Sequence, residues 1–237
     1  MSVSSRPVTD SISAEKDAKA PRVPSAIETG FVQRLPQFIT MFFSFTMVGF
    51  FKNFADTFHF TTAPSFDWKN GSQDLVVAAF FVTLFWIVTA WVGYSMLITR
   101  HPYTLDLGRF FFDVARFSLL NFQMSFTFLA AQIAYFQVYI FSIALWHAMM
   151  MGWYRWQAGE LPSGARAEQQ KDATSHGMRF ATYLVLGLLY YFLVALRVGQ
   201  PGAELLRYVI AGATFVMMTV WNVRRIRELT ARARTAN

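Results

Sequence analysis

The sequence predicts an all-α, polytopic membrane protein: a bundle of six transmembrane helices with both termini in the cytoplasm. Three observations support this prediction. Leu75 to Ile98 carry no charge over 24 positions, enough to cross a ~30 Å bilayer core, which needs ~20 apolar residues. Only 15% of the 237 residues are charged, against roughly 25% in soluble domains. The basic residues lie mainly between and beyond the apolar segments, as membrane orientation requires.

Composition also excludes several classes of protein. The chain has no cysteine, which rules out a disulfide framework, a thiolate nucleophile and a cysteine metal site. The net charge of +7 does not indicate nucleic-acid binding, because the basic residues are spread over loops and tails instead of one face. We therefore expect lipid, and not nucleic acid, as the main partner of the surface.

The N-terminal half begins with a polar tail, residues 1–30, which has too few large apolar side chains to fold and is expected to be disordered. The first crossing is predicted from Gln37 to Phe51, with a possible extension to Phe60. The second crossing is 75–98. Two loops are expected around it, at 61–74 and 99–109, because both contain proline and glycine.

The stretch 110–154 is too long for one crossing, since an α-helix of that length would span ~67 Å. It predicts two helices joined by a tight turn near Ala130–Gln132. The polar residues 155–176 are predicted to form the largest internal loop.

Two final crossings, Met178–Leu196 and Leu206–Asn222, are expected on either side of a Gly-Gln-Pro-Gly turn at 199–202. They complete a transmembrane domain over 31–223, followed by a basic cytoplasmic tail, 224–237. With six crossings and the N-terminus inside, sixteen basic residues lie on the inner side and four on the outer side. This asymmetry supports the count and a plasma or bacterial inner membrane.

Two charged groups are candidates for an ion path. Asp113 and Arg116 lie three residues apart on one face of the third helix, where charges at membrane depth either pair or face a cavity. Lys52 and Asp56 share a face of the first helix, with His59 one turn further. The alternatives are a mutually satisfied pair near the headgroups for Asp113 and Arg116, and a helix end that reaches water for the other three.

His147 lies inside an apolar segment and is a candidate cofactor ligand. His59, His101 and His176 all fall at predicted segment ends, so the sequence offers no buried partner for it. A hydrogen bond between helices is the alternative. Since the chain has neither an H-E-x-x-H zinc motif nor a G-x-S-x-G nucleophile motif, we do not expect an enzyme, and no cofactor is required.

A family resemblance rests on residues 51–60, FKNFADTFHF, an aromatic-rich run around one aspartate. This run resembles the first-helix signature of the low-temperature-requirement A family and the F-S-D motif of the lysosomal potassium-channel family with its bacterial relatives. Trp91–Val92–Gly93–Tyr94 and the following Arg100 are similar in kind to the second helix of those families. The resemblance implies structural or gating roles for Phe54, Asp56 and Lys52.

Three functions follow as expectations. The first is a channel- or transporter-like bundle, oligomeric, that passes a monovalent cation such as potassium. The second is a non-catalytic subunit or scaffold of a larger membrane complex, which the short loops also favour. The third is a cofactor carrier that uses His147.

Overall fold

The computed structural model describes residues 26–58, 71–100, 107–160 and 163–234, and within them the chain is helical without strands. The helices, separated by short connections, are α1 (Ala26–Thr57), α2 (Gly71–Arg100), α3 (Leu107–Thr127), α4 (Ile133–Glu160), α5 (Ser163–Leu193) and α6 (Ala203–Arg234), with one 3-10 turn at Ala195–Arg197. The all-α prediction is confirmed.

Five of these helices, all except α3, are long and apolar enough to cross a membrane. α3 carries Asp113, Arg116, Asn121 and Gln123 among its 21 residues, and these side chains lower its hydropathy. The multi-pass membrane class is therefore supported by five helices. The sixth crossing and the cytoplasmic placement of both termini stay predictions.

Helices that follow each other in the chain run antiparallel, and α4 lies at the centre of the bundle. Phe136, Tyr139 and Ile140 of α4 are completely buried. The ring of Trp146 lies 5.2 Å from that of Trp86 on α2, and Phe112 of α3 stacks on Trp153. Aromatic rings thus pack in the space between the helices.

The predicted turn near Ala130–Gln132 is confirmed, because residues 128–132 separate α3 from α4. Arg207 of α6 holds this turn by donating a hydrogen bond to the carbonyl oxygen of Ala131. The turn at 199–202 is also present, and Gly199 and Gly202 adopt φ angles of 82° and 85° there. Only glycine adopts such angles without strain.

The predicted loop at 155–176 is wrong. α4 continues to Glu160 and α5 begins at Ser163, so the segment is helical apart from residues 161–162, which lie outside the described part. The error has a physical cause. Alanine, arginine, glutamate, glutamine and lysine dominate residues 165–171, and these are strong helix formers. Their polarity is compatible with a helix that extends out of the lipid.

The first and last helices extend beyond the crossings predicted for them. α1 begins at Ala26, within the last residues of the expected tail 1–30, and contains Pro36. α6 continues without a break from the last crossing to Arg234. The described part of the chain therefore begins with α1 and ends with α6, and each of these helices has 32 residues.

Candidate functional site

The first-helix candidates lie on the surface of the bundle. Lys52 Nζ and Asp56 Oδ2 form an ion pair of 2.6 Å with each other, and their side chains are 72% and 54% exposed. Phe54 faces inward and stacks on Phe80 at 3.8 Å between ring centroids. His59 lies outside the described residues. The structure thus places Lys52 and Asp56 on one helix face, as expected, and away from the interior of the described bundle.

Asp113 and Arg116 of α3 are both buried and lie side by side, with 3.5 Å between Arg116 Nη2 and Asp113 Oδ1. The Arg116 guanidinium is surrounded by rings, at 4.9 Å from the centroid of Phe117 and 5.4 Å from that of Tyr94. Such cation–π contacts lower the cost of burying the charge. The spacing on one helix face predicted this pair correctly.

His147 has a buried partner, and the expectation that none exists is wrong. Its Nδ1 lies 2.9 Å from Nδ1 of His176, and the two side chains are only 5% and 9% exposed. His176 was expected at the end of a loop, but it lies in the interior of α5. One Nδ1 donates to the other, so the two rings form a hydrogen bond between α4 and α5.

The histidine pair borders a cavity of about 200 Å³ between five helices. α2, α4, α5 and α6 supply most of its wall, and α3 contributes Arg116. The ring of Tyr183 stacks on His147, and the ring of Tyr154 stacks on His176. Glu168, which is exposed, lies among the lining residues near the end of the bundle where α4 meets α5. We refer to this space as the α2–α6 cavity.

Three arginines line the α2–α6 cavity, and they differ in their partners. Arg116 has Asp113, as described above. Arg225 lies 3.9 Å from Asp172 and 3.6 Å from Glu228. Arg179 is 9% exposed and contacts the ring of Trp221 at 5.5 Å, and no carboxylate of a described residue lies within ion-pair distance of it. Arg179 is therefore the arginine of the cavity whose charge is not balanced by a close neighbour.

Several polar atoms of the cavity lining are buried without a hydrogen-bond partner among the described residues. They are Arg116 Nε, Asn222 Nδ2, Tyr183 Oη and Gln169 Oε1. All but the last of these can donate a hydrogen bond. Buried polar groups in native proteins are nearly always satisfied, by protein, water or a ligand. Water or a ligand in the cavity would supply the missing acceptors.

A line of buried hydroxyls continues beyond the cavity. Met218, a lining residue, accepts a hydrogen bond of 3.6 Å from the hydroxyl of Tyr139. That hydroxyl lies 2.8 Å from Thr83 Oγ1, which in turn accepts a bond of 3.2 Å from Thr127. Gln123, completely buried, lies one turn before Thr127, and its backbone carbonyl oxygen accepts a hydrogen bond of 3.3 Å from the Thr127 hydroxyl. We refer to this row as the Tyr139 chain.

The sequence contained a helical spacing that predicts part of this site, but the incorrect prediction of a loop at 155–176 concealed it. Once 163–193 is one helix, Asp172, His176, Arg179 and Tyr183 follow each other at intervals of four, three and four residues, which places them on one face. The contribution of α6 had no such signal. Asn222 and Arg225 fall at and beyond the predicted end of the last crossing.

No group of three or more histidine, aspartate or glutamate side chains that could hold a metal ion occurs in the described ranges. Comparison with protein-family models, with curated proteins and with solved structures gives no match to the chain.

Proposed function

We propose that this protein is a transporter-like membrane protein whose solute site is the α2–α6 cavity. The observation that carries the proposal is the depth to which polar groups enter the bundle. On α4, the polar groups of the cavity and of the Tyr139 chain together extend from Tyr154 to Tyr139, which lie fifteen residues apart, or about 22 Å along the helix. That is most of a ~30 Å hydrocarbon core.

Hydrogen bonds that hold the helices together explain only some of the polar groups in this lining. Hydroxyls and amides that pair across helices stabilise membrane bundles by ~0.6–2 kcal/mol each, and the bonds of Tyr139 and Thr83 fit that role. Unpaired donors such as Asn222 Nδ2 and Arg116 Nε do not, because a buried donor without an acceptor costs ~1–3 kcal/mol. A site that binds a solute supplies those acceptors, which favours transport over a purely structural role.

The test is flux through purified protein in liposomes, with monovalent cations and small organic anions as separate solutes. We expect flux of at least one solute. Tyr139→Phe should reduce it about tenfold, on the scale of one hydrogen bond, because it removes the hydroxyl between the cavity and Thr83. The matched control is Tyr208→Phe, since Tyr208 is 39% exposed on α6 and does not line the cavity.

The same assay decides between the cavity and the ion path predicted at the first helix. Monovalent cation flux that falls with Asp56→Asn and ignores Tyr139→Phe would support the first-helix site, and the α2–α6 cavity would lose its role. Folded, inserted protein that moves none of the solutes would contradict transport altogether.

A second candidate function is a subunit of a larger assembly, either a homo-oligomer or a complex with other membrane proteins. It is favoured by α1, because only 11% of its most apolar window is buried. Phe45 and Val48 of that helix are 70% and 68% exposed. Purification with tightly bound subunits and without flux is the result expected for this alternative.

A further inference from the structure

We infer that the ligand of the α2–α6 cavity is a small organic monocarboxylate with an apolar body. The inference deepens the proposed function by naming the class of solute, and the geometry of Arg179 supports it first. Arg179 is 9% exposed and has no carboxylate within ion-pair distance among the described residues. A guanidinium at a desolvated site prefers an oxyanion that accepts two parallel hydrogen bonds.

The neutral groups of the lining favour the same class. Asn222 Nδ2, Tyr183 Oη and Arg116 Nε are buried donors that lack acceptors within the described chain. The corresponding unpaired acceptor of the lining is Gln169 Oε1. Carboxylate oxygens accept several hydrogen bonds and donate none when ionised. A cation would leave these donors unsatisfied. It would also lie near Arg179, which has no carboxylate at ion-pair distance among the described residues, whereas Arg116 and Arg225 have acidic partners. An anion therefore fits better.

Size and wall chemistry limit the rest of the ligand. A cavity of ~150 Å³ holds a benzene molecule, and the α2–α6 cavity has about 200 Å³. A single ring or short branched chain that carries one carboxylate therefore fits. The walls include the indole rings of Trp86, Trp146 and Trp221, which pack well against an apolar body. Inorganic phosphate would satisfy the donors and leave this aromatic wall without a partner.

Binding is measured by quenching of intrinsic tryptophan fluorescence, since three tryptophans line the cavity. The probe is benzoate, and its neutral isostere benzamide is the control ligand. The full chain is placed in nanodiscs of zwitterionic lipid. We expect saturable quenching by benzoate and at least tenfold weaker binding of benzamide, because the two share the ring and benzamide replaces one charged acceptor oxygen with a neutral NH2 donor.

Variants assign the charge to Arg179. Arg179→Gln should weaken benzoate binding about ten- to hundredfold, the range for loss of a charge-assisted hydrogen bond, and should leave benzamide nearly unchanged. Arg179→Lys should retain part of the affinity. Arg155→Gln is the matched control, because Arg155 is exposed on α4 near the same end and does not line the cavity. The comparison of the two ligands on unmodified protein stands even if Arg179→Gln fails to fold.

Three results would overturn the assignment: equal affinity for benzoate and benzamide, binding of inorganic phosphate without benzoate, or benzoate binding that disappears when phosphatidylglycerol is added to the nanodiscs. The last result would identify a lipid headgroup as the occupant. Failure of this inference is distinguishable from failure of transport. Flux without benzoate binding rejects the carboxylate, and benzoate binding without flux rejects the transporter and keeps the site.

Discussion

At the scale of single residues, Asp113 and Arg116 form a buried ion pair, in which each charge lowers the free-energy cost of burying the other. Arg116 is 5% exposed and its ion-pair partner is one turn away on α3. We expect Asp113→Ala to destabilise the protein by about 3–5 kcal/mol, because removal of one partner leaves a buried charge uncompensated. The measurement is the midpoint of thermal unfolding in detergent, monitored by the intrinsic fluorescence of the protein.

The double variant is the control for this pair. Asp113→Ala with Arg116→Ala removes both charges, and we expect it to recover part of the lost stability. Effects of the two single substitutions that simply add in the double variant would show that the side chains do not interact.

At the scale of helices, α4 and α5 approach each other closely at Gly187. A methyl group at this position would lie 2.7 Å from Cε1 of Phe141 on α4, and small residues are what permit such close approach in membranes. We expect Gly187→Ala to cost about 1–3 kcal/mol, the range for overpacking. Gly212→Ala is the matched control, because no atom lies within 4 Å of the methyl group there.

The strain expected in Gly187→Ala comes from contact between the new methyl group and the ring of Phe141. Phe141→Leu in the Gly187→Ala background should restore part of the unfolding temperature, because a smaller side chain gives the new methyl group room. Gly187→Ala that melts at the same temperature as the unmodified protein would mean that α4 and α5 are further apart than described.

At the scale of the whole molecule, the antiparallel order of the helices places Ser72, at the start of α2, and Ser163, at the start of α5, at opposite ends of the bundle. The chain has no cysteine, so Ser72→Cys and Ser163→Cys are unique labelling sites. We expect a membrane-impermeant maleimide to label Ser72→Cys only from outside the cell and Ser163→Cys only after the membrane is opened. Labelling of both from the same side would contradict the six-crossing topology.

The sequence alone determined the properties that depend on composition and on short spacings. The charge-free run 75–98 predicted α2, and the length of 110–154 predicted the turn between α3 and α4. Asp113 and Arg116 were paired correctly because three residues of an α-helix nearly complete a turn, whatever surrounds it. The family resemblance of residues 51–60 stays a prediction.

Only the tertiary structure decided what faces the α2–α6 cavity. His147 and His176 are 29 positions apart, and Thr83 and Tyr139 are 56 apart. The two members of each pair lie on different helices, so the periodicity of a single helix does not bring them together. Polar composition at 155–176 indicated a loop, and that error hid the face of α5 that carries Arg179. Such contacts depend on how whole helices pack, since packing sets helix rotation and separation through many weak contacts along the full interface. A short sequence pattern does not contain the combined effect of these contacts, so it does not predict how two helices face each other.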